Sequence, residues 1–560
     1  MKVATGQFRT GKDTDRVLRE LLGLIDSAAA GGAVLVHFQE CCNYPTSYDS
    51  REHAWREAIT IPGPMFDAIS ARARQHRIYV SFNAAVKGPY PAAYMVNHLV
   101  GPEGAWIGGN PKQVLMWIER EAFSPSTQES QVFDTPIGRI GSLSCMDGLV
   151  PETARVLAVK GADIILNALC SNGLDETHTH IPARAAENGV YVISANRIGD
   201  MVEGEDLERL ERESGMDREK LQGAGESQIV SPDGTVLARA SRSDLGLVFA
   251  DIDLVRVERR ERLANRRPEC YGLLTASNDA LSSTYDGRPD AGRIRVSTLP
   301  TCRNGSFARI LDSASQAVAE LPRGLVVLPE CFAWALPPAG VDAATMADEI
   351  RASTLALEDL ARRHATWIAA GVPAWLPQGL ANRAMLFGPD GLVGEYLQVH
   401  RDAQLGTGPA GNEFPVFDLP FGRVALLLGA DLFFPEASRI LARKGVDLIA
   451  CPTTWRTPWQ SRLMLTERSA ENRIAMAVAA RPDSPVADGC IIVSTAAGFP
   501  FPTTGEVNIP ERWTATAPEA PLSVELNLAT NRDKRLMFST NVIMDTQPSL
   551  YRALAERPAP

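Results

Sequence analysis

A thiol that cleaves an amide needs a base to make it a thiolate, donors for the developing oxyanion and a proton for the departing amine. Glu40, Lys112 and Cys145 are of the types that supply all three. Cys145 follows the apolar run IGSLS and precedes MDG and the helix-like segment PETARVLA, so the pattern predicts a strand-to-helix turn with the thiol at its tip. Such a turn exposes a nucleophile and aims backbone N–H groups at the reacting carbon. Glu40 ends the apolar stretch VLVHFQE, where loss of water raises a carboxyl pKa towards that of a general base. Lys112 lies in GNPKQVLMWIE, and Glu119, 7 residues on, is placed to pair with it or to handle protons. Each residue alone has a plainer reading: a small core cysteine, a capped or ion-paired carboxylate, a solvated lysine.

The elements that must position these residues are written twice. VLVHFQE ends at Glu40 and VVLPE at Glu330, and GRIGSLSCMDGLVPETARVLAVKGADIIL (138–166) matches GRVALLLGADLFFPEASRILARKGVDLIA (422–450). Cys145 to Glu187 spans 42 residues, as does Gly429 to Glu471, which brings RAAEN into register with RSAEN. RRPECYGLL (266–274) and QPSLYRAL (547–554) close the copies alike. Short Val/Ile/Leu runs alternate with helix-length amphipathic segments, which predicts an α/β architecture with its sheets covered by helices. The expected division is a first domain over 1–275, a Ser-, Asp- and Gly-rich linker over 276–292 and a second domain over 293–560. The charged stretch EGEDLERLERESGMDREKL (203–221) occurs only in the first copy and reads as a solvated surface helix or flap, with a lid over the site as the alternative.

At 560 residues the chain exceeds what one core sustains, and 45% hydrophobic with 22% charged residues excludes disordered, collagen-like and coiled-coil classes. A formal net charge of −11 disfavours nucleic acid and anionic membranes as partners. No apolar run approaches the ~18–20 residues of a membrane span, and the opening MKVATGQF reads as a strand without a leader, so the cytoplasm is the expected compartment. Nine scattered cysteines without a CxxC pair indicate reduced thiols and no thiolate zinc site.

Glu40 after a strand, Lys112, and Cys145 in the frame C-x-D-x-x-x-P-E followed by RAAEN together resemble the carbon–nitrogen hydrolase (nitrilase) superfamily, over nearly all of 1–275 and more loosely over 293–555. The resemblance implies two tandem four-layer αββα sandwiches, a small-molecule amide or related substrate, and no cofactor or metal. It also implies an intramolecular pseudo-dimer of the two halves, with further homo-oligomers open. On it, Glu40 is the general base, Lys112 and the Met146 backbone N–H stabilise the tetrahedral intermediate, and Cys145 is acylated. Glu119 fits the family's second glutamate, although Glu121 can be aligned there instead. Tyr44, Met146, Asn172 and His178 are the expected substrate-binding residues. The second copy keeps Glu330 but has Gly429 where the cysteine belongs and Gln398 in place of the lysine, and Cys331 and Cys451 lie outside the turn frame, so it reads as inactive.

Met146-Asp147-Gly148 after the cysteine resembles the amidase and formamidase branch more than the nitrile branch, which places Trp-Glu there. N-carbamoyl compounds stay open, because CSNGLDETHTH (170–180) offers polar groups to grip them. His178 and His180 alone do not make a metal site. A partner half without a phosphate loop removes support for feeding ammonia to a fused synthetase. The reading outside catalysis, a binding or scaffolding protein, is opposed by the survival of a complete Glu–Lys–Cys set in one copy. The neighbours of Cys145 are expected to lower its pKa and make it the fastest-labelling thiol.

Overall fold

Residues Thr14–Ala30 carry Val17, Leu21, Leu24, Ile25 and Ala28 on one stripe at helical spacing, and all five are buried. Asp13 starts this helix by accepting the Arg16 N–H at 2.9 Å. The stripe packs with Pro64–His76 against a sheet whose strand segments are apolar on both faces. The computed structural model describes residues 1–301, 306–334, 342–402, 408–496, 498, 505–536 and 539–556.

In the first unit one six-stranded sheet runs in the order Gly246–Asp251, Lys2–Gln7, Leu35–Phe38, Tyr79–Lys87, Ala93–Val100, Trp106–Pro111. Its three strands from Lys2 to Lys87 are parallel and the flanking ones antiparallel. A second six-stranded sheet runs Val236–Arg239, Gln228–Val230, Tyr191–Asn196, Ile164–Leu169, Gly138–Ser144, Val132–Thr135, again with a parallel centre. The core falls into three layers of contact. Val36, Val80 and Phe82 meet the first helices, while Val3, Leu35 and Leu99 meet Ile140, Leu166 and Ile193 of the other sheet. Leu143, Ile165 and Val192 meet Leu157 and Ala185 on the helices Pro151–Val159 and Ile181–Asn188. Helix, sheet, sheet, helix is therefore the order through this unit, as expected.

The second unit repeats the topology. Leu522–Asn527, Arg293–Thr298, Leu325–Val327, Trp367–Gly371, Arg383–Gly388 and Gly391–Leu397 form one sheet. The other contains Val416–Leu419, Gly422–Leu426, Leu448–Thr453, Ala475–Ala480, Ile491–Thr495 and Pro510–Thr514. Strand for strand the orders match those of the first unit.

The boundary between the units is not the single cut expected near 276–292. The first unit comprises Met1–Ala264, Gly498–Asn508 and Arg535–Pro560, and the second Asn265–Ala497 and Ile509–Lys534. The physical reason lies in the closing tails, which are anchored outside their own repeat. Tyr271, fully buried, bonds His400 Nε2 at 2.7 Å, and Arg266 pairs with Glu436 at 2.7 Å, both within the second unit. Tyr551, also fully buried, lies in the first unit, where Gln547 Nε2 donates to the Gln113 carbonyl at 2.6 Å and Thr540 Oγ1 accepts the Trp117 N–H at 2.9 Å. The expected linker is structured, with helical turns at Asn278–Leu281 and Ser282–Asp286 in the second unit. No helix among the described residues is long and apolar enough to cross a membrane.

Candidate active site

Glu40 follows the strand Leu35–Phe38 and Cys145 follows Gly138–Ser144, so both leave the carboxyl ends of parallel strands, one from each sheet, where open α/β sheets bind ligands. The two sheets are stitched at this end by the Glu40 N–H, which donates to the Leu169 carbonyl at 3.1 Å, while the Cys145 N–H extends the pairing within its own sheet to the Ala168 carbonyl at 2.9 Å. Behind them a buried network ties the cysteine strand to the other sheet. Asn83 Nδ2 donates to Ser144 Oγ at 3.1 Å, and Asn97 Nδ2 to the Leu143 carbonyl at 2.6 Å.

Cys145 has φ 43° and ψ −106°, a strained conformation for a residue with a Cβ, and caps the short helix Met146–Leu149. Hydrogen bonds made by two side chains, Asp147 and Arg184, hold this turn. Asp147 accepts the N–H groups of Gln113 at 3.1 Å and Val114 at 2.8 Å, which binds the turn to the loop carrying Lys112. Arg184 donates to the carbonyls of Gly148 at 2.9 Å and Leu149 at 3.2 Å and pairs with Glu187 at 2.8 Å, so the R-A-x-E-N block is a clamp on the turn. The second unit keeps this frame: Arg468 bonds the Leu432 carbonyl and Glu471.

The structure brings Glu40, Lys112 and Glu119 together. Lys112 Nζ donates to Glu40 Oε1 at 2.9 Å and to Glu119 Oε1 at 2.8 Å, with neither Lys112 nor Glu40 exposed at the side chain. Glu119 Oε2 accepts the Met116 N–H at 2.7 Å, and it is Glu119, not Glu121, that reaches the lysine. Burial pushes the Glu40 carboxyl well above its ordinary range against the pull of Lys112. Burial opposes the charge on Lys112, but the two carboxylates outweigh it and hold the ammonium.

Cys145 Sγ lies 4.0 Å from Glu176 Oε1. The expectation of a lowered Cys145 pKa is corrected here. Burial raises it, Glu176 raises it further, and Lys112 pulls the other way without reversing the shift. Two more carboxylates, Glu40 and Glu119, add to the rise, so at rest the group is a thiol. The lowered thiol is instead Cys170, which receives a hydrogen bond from Cys41 and faces the Arg197 guanidinium, 3.6 Å from its sulfur.

A cavity of about 110 Å³ opens over Cys145. Glu119, Cys145, Cys170, Ser171, Asn172 and Glu176 form its polar side. Of the expected substrate-binding residues, Asn172 lines the cavity and donates to the Lys220 carbonyl at 3.1 Å, and the fully buried Met146 opens the turn after Cys145. Tyr44 and His178 do not line it. Tyr44 packs on Tyr48 and His53, and His178 pairs with Glu226 at 2.8 Å. The stretch 203–221, expected as a solvated face, instead contributes Leu210, Met216 and Leu221 to the cavity wall. Its helix Glu205–Ser214 turns charge outward while Leu207 and Met216 are buried. Glu176 and Val507 escaped the sequence reading; the only signal was the polar segment 170–180, in which Glu176 rather than His178 faces the thiol.

In the second unit Glu330 is buried and its Oε1 accepts from Asn382 Nδ2 at 3.0 Å and from the Gly429 N–H at 3.2 Å. Asn382 also donates to Gln398 at 3.1 Å. Gly429, at the position of Cys145, has no positive φ, so the strained elbow is relaxed where the thiol is missing.

The carbon–nitrogen hydrolase family model matches residues 2–262 and 295–484. A nitrilase of Pyrococcus abyssi is 31% identical over 255 residues, covering 44% of this chain and 90% of its own. A bifunctional nitrilase/nitrile hydratase of Lupinus angustifolius is 28% identical over 273 residues, covering 44% of this chain and 76% of its own. Among solved structures, the amidase of Nesterenkonia sp. AN1 as its C145A mutant aligns over 47% of this chain and 95% of its own, with 22% identity and a TM-score of 0.39. With both halves matched by one family model, the chain belongs to the carbon–nitrogen hydrolase family.

Proposed function

We propose that this protein hydrolyses a non-peptide C–N bond, an amide to a carboxylic acid and ammonia, through an acyl-enzyme on Cys145. The observation that carries the reading is the buried Glu40–Lys112–Glu119 chain beside a cysteine held on a strained turn. Glu40, poised by burial, takes the Cys145 proton as sulfur attacks the carbonyl carbon. The Lys112 ammonium and the Met146 N–H stabilise the oxyanion. Glu40 passes the proton to the nitrogen, the C–N bond breaks, and ammonia leaves a thioester. Glu40 then takes a proton from water, hydroxide adds to the thioester, and the acid departs as the thiol is restored.

The raised Cys145 pKa fits this cycle, because a thiol surrounded by carboxylates ionises only as its proton moves to the base. A nitrile is the second reading, favoured by relatives named nitrilases, while Met146-Asp147-Gly148 favours the amide. N-carbamoyl acids are disfavoured, since no lysine or arginine is among the described residues lining the cavity. The second unit is proposed to be inactive, its glutamate being engaged by Asn382 and Gly429. Ammonia release from amides, carbamoyl amino acids and nitriles, with Cys145→Ala as blank, tests the reading. Release that depends on Cys145 supports it, and release undiminished in the blank overturns it.

A further inference from the structure

The apolar lining of the cavity includes Met116, Trp117, Ile118 and Leu149 near the catalytic residues, and a further part comes from two distant stretches of chain. Val202, Leu207, Met216 and Leu221, from the insertion and its approach, form one buried cluster with Val507, and Leu210 packs against it. Val507 follows a strand of the second repeat in sequence, yet it belongs to the first unit.

Its position is fixed by hydrogen bonds. Asp175, with no exposed surface, accepts the Val507 N–H at 3.0 Å and the Asn508 N–H at 2.7 Å, and the Leu174 N–H donates to the Gly505 carbonyl at 3.0 Å. His180 Nε2 lies 3.2 Å from the same carboxylate. The next residue is Glu176, beside the thiol. Segment 505–508 is thus clipped to the turn that carries a cavity carboxylate, and Val507 has little freedom to withdraw.

We infer that the cavity is an acyl pocket for an uncharged apolar chain and that Val507, with Leu210 and Met216, sets the chain length accepted. The inference rests on amide hydrolysis at Cys145. A volume of about 110 Å³, somewhat less than the ~150 Å³ apolar cavity that takes up benzene, suits a chain of about four to six carbons held short of the larger cleft that shares the Val202 and Leu210 lining. Among the described residues the lining holds no lysine or arginine for a carboxylate on that chain, and a charge of either sign carried against the apolar lining, away from Glu119 and Glu176, would be buried unpaired at high cost.

The test uses the full chain and linear amides from acetamide to octanamide, with glutaramate and 5-aminopentanamide as charged analogues. Each buried methylene is expected to raise kcat/KM about fourfold, so pentanamide should exceed acetamide roughly sixtyfold. Activity should peak at about four to six carbons, and both charged analogues should fall at least about tenfold below pentanamide. Val507→Ala should move the peak to longer chains and Val507→Phe to shorter ones, opposite shifts that a general loss of stability cannot produce. A flat series, a preferred charged analogue, or an unchanged peak in both variants overturns the inference while leaving Cys145-dependent hydrolysis intact. If no amide is turned over, the proposed function fails, and calorimetric titration of Cys145→Ala decides the pocket. Pentanamide binding at least about tenfold tighter than acetamide upholds it, and equal or absent binding overturns it.

Discussion

Lys112 Nζ stands 2.9 Å from Glu40 Oε1, and neither side chain touches solvent. The base and the cation of the proposed cycle are therefore one buried pair, and Glu119 at 2.8 Å makes it a triad. Removing the lysine strands two carboxylates near one thiol. Lys112→Ala is expected to abolish turnover and to destabilise the fold by about 3–5 kcal/mol, the range for breaking a buried pair. Adding Glu40→Gln to it should recover part of the stability and none of the activity. Thermal melts and ammonia release on both variants check this; a stable, active Lys112→Ala would remove the lysine from the account.

Glu330 occupies the position of Glu40 in the second repeat, but its oxygen is taken by Asn382 and the Gly429 N–H. Glu330→Ala should leave kcat/KM within about twofold of the parent, against a loss of at least 10²-fold for Glu40→Ala. Equal losses would mean that the second unit does chemistry or that Glu330 shapes the first.

Glu176 titrates at about 7, raised chiefly by burial, and lies 4.0 Å from the Cys145 sulfur. Below that pH it is neutral and does not oppose the thiolate; above it, its charge does. Glu176→Gln should therefore speed Cys145 alkylation above pH 7 and change it little below. In the parent, Cys170 should label before Cys145, because Cys41 and Arg197 stabilise its thiolate. Peptide mass spectrometry over a pH series reads both; Cys145 labelling first in the parent contradicts this ordering. Of the nine cysteines, Cys302 lies outside the described residues.

Arg184 clamps the carbonyls that follow the nucleophile turn and pairs with the buried Glu187. Arg184→Ala should cost about 3–5 kcal/mol, read as a lower denaturation midpoint. A midpoint unchanged from the parent would show that the turn holds without its clamp.

The turn around Cys145 was legible because it is local: a strand, a tight turn and a helix follow one another within a few residues, and the duplicated spacing marks what both copies need for folding. RAAEN and RSAEN survive together for that reason, whereas Lys112 and Cys145 have no counterparts in the second copy. What escaped depends on contacts remote in sequence. Asp175 and Val507 are 332 residues apart, and nothing in either neighbourhood announces the other. The insertion misled through its charge, although Leu207, Leu210, Met216 and Leu221 already supplied an apolar side. The Cys145 thiol was expected to be acidified, since a lysine was visible and the crowd of carboxylates packed around the sulfur was not. The exchanged tails likewise look in sequence like matching ends of separate domains.

The most direct test of the central claim is to stop the reaction during turnover of a hydrolysed amide and weigh the peptide that carries Cys145. The account predicts a mass increase equal to the acyl group, on Cys145 alone, absent in Cys145→Ala and lost on further incubation as acid appears. Steady turnover with Cys145 unmodified under conditions that trap thioesters, or an acyl group found on another cysteine, would contradict it.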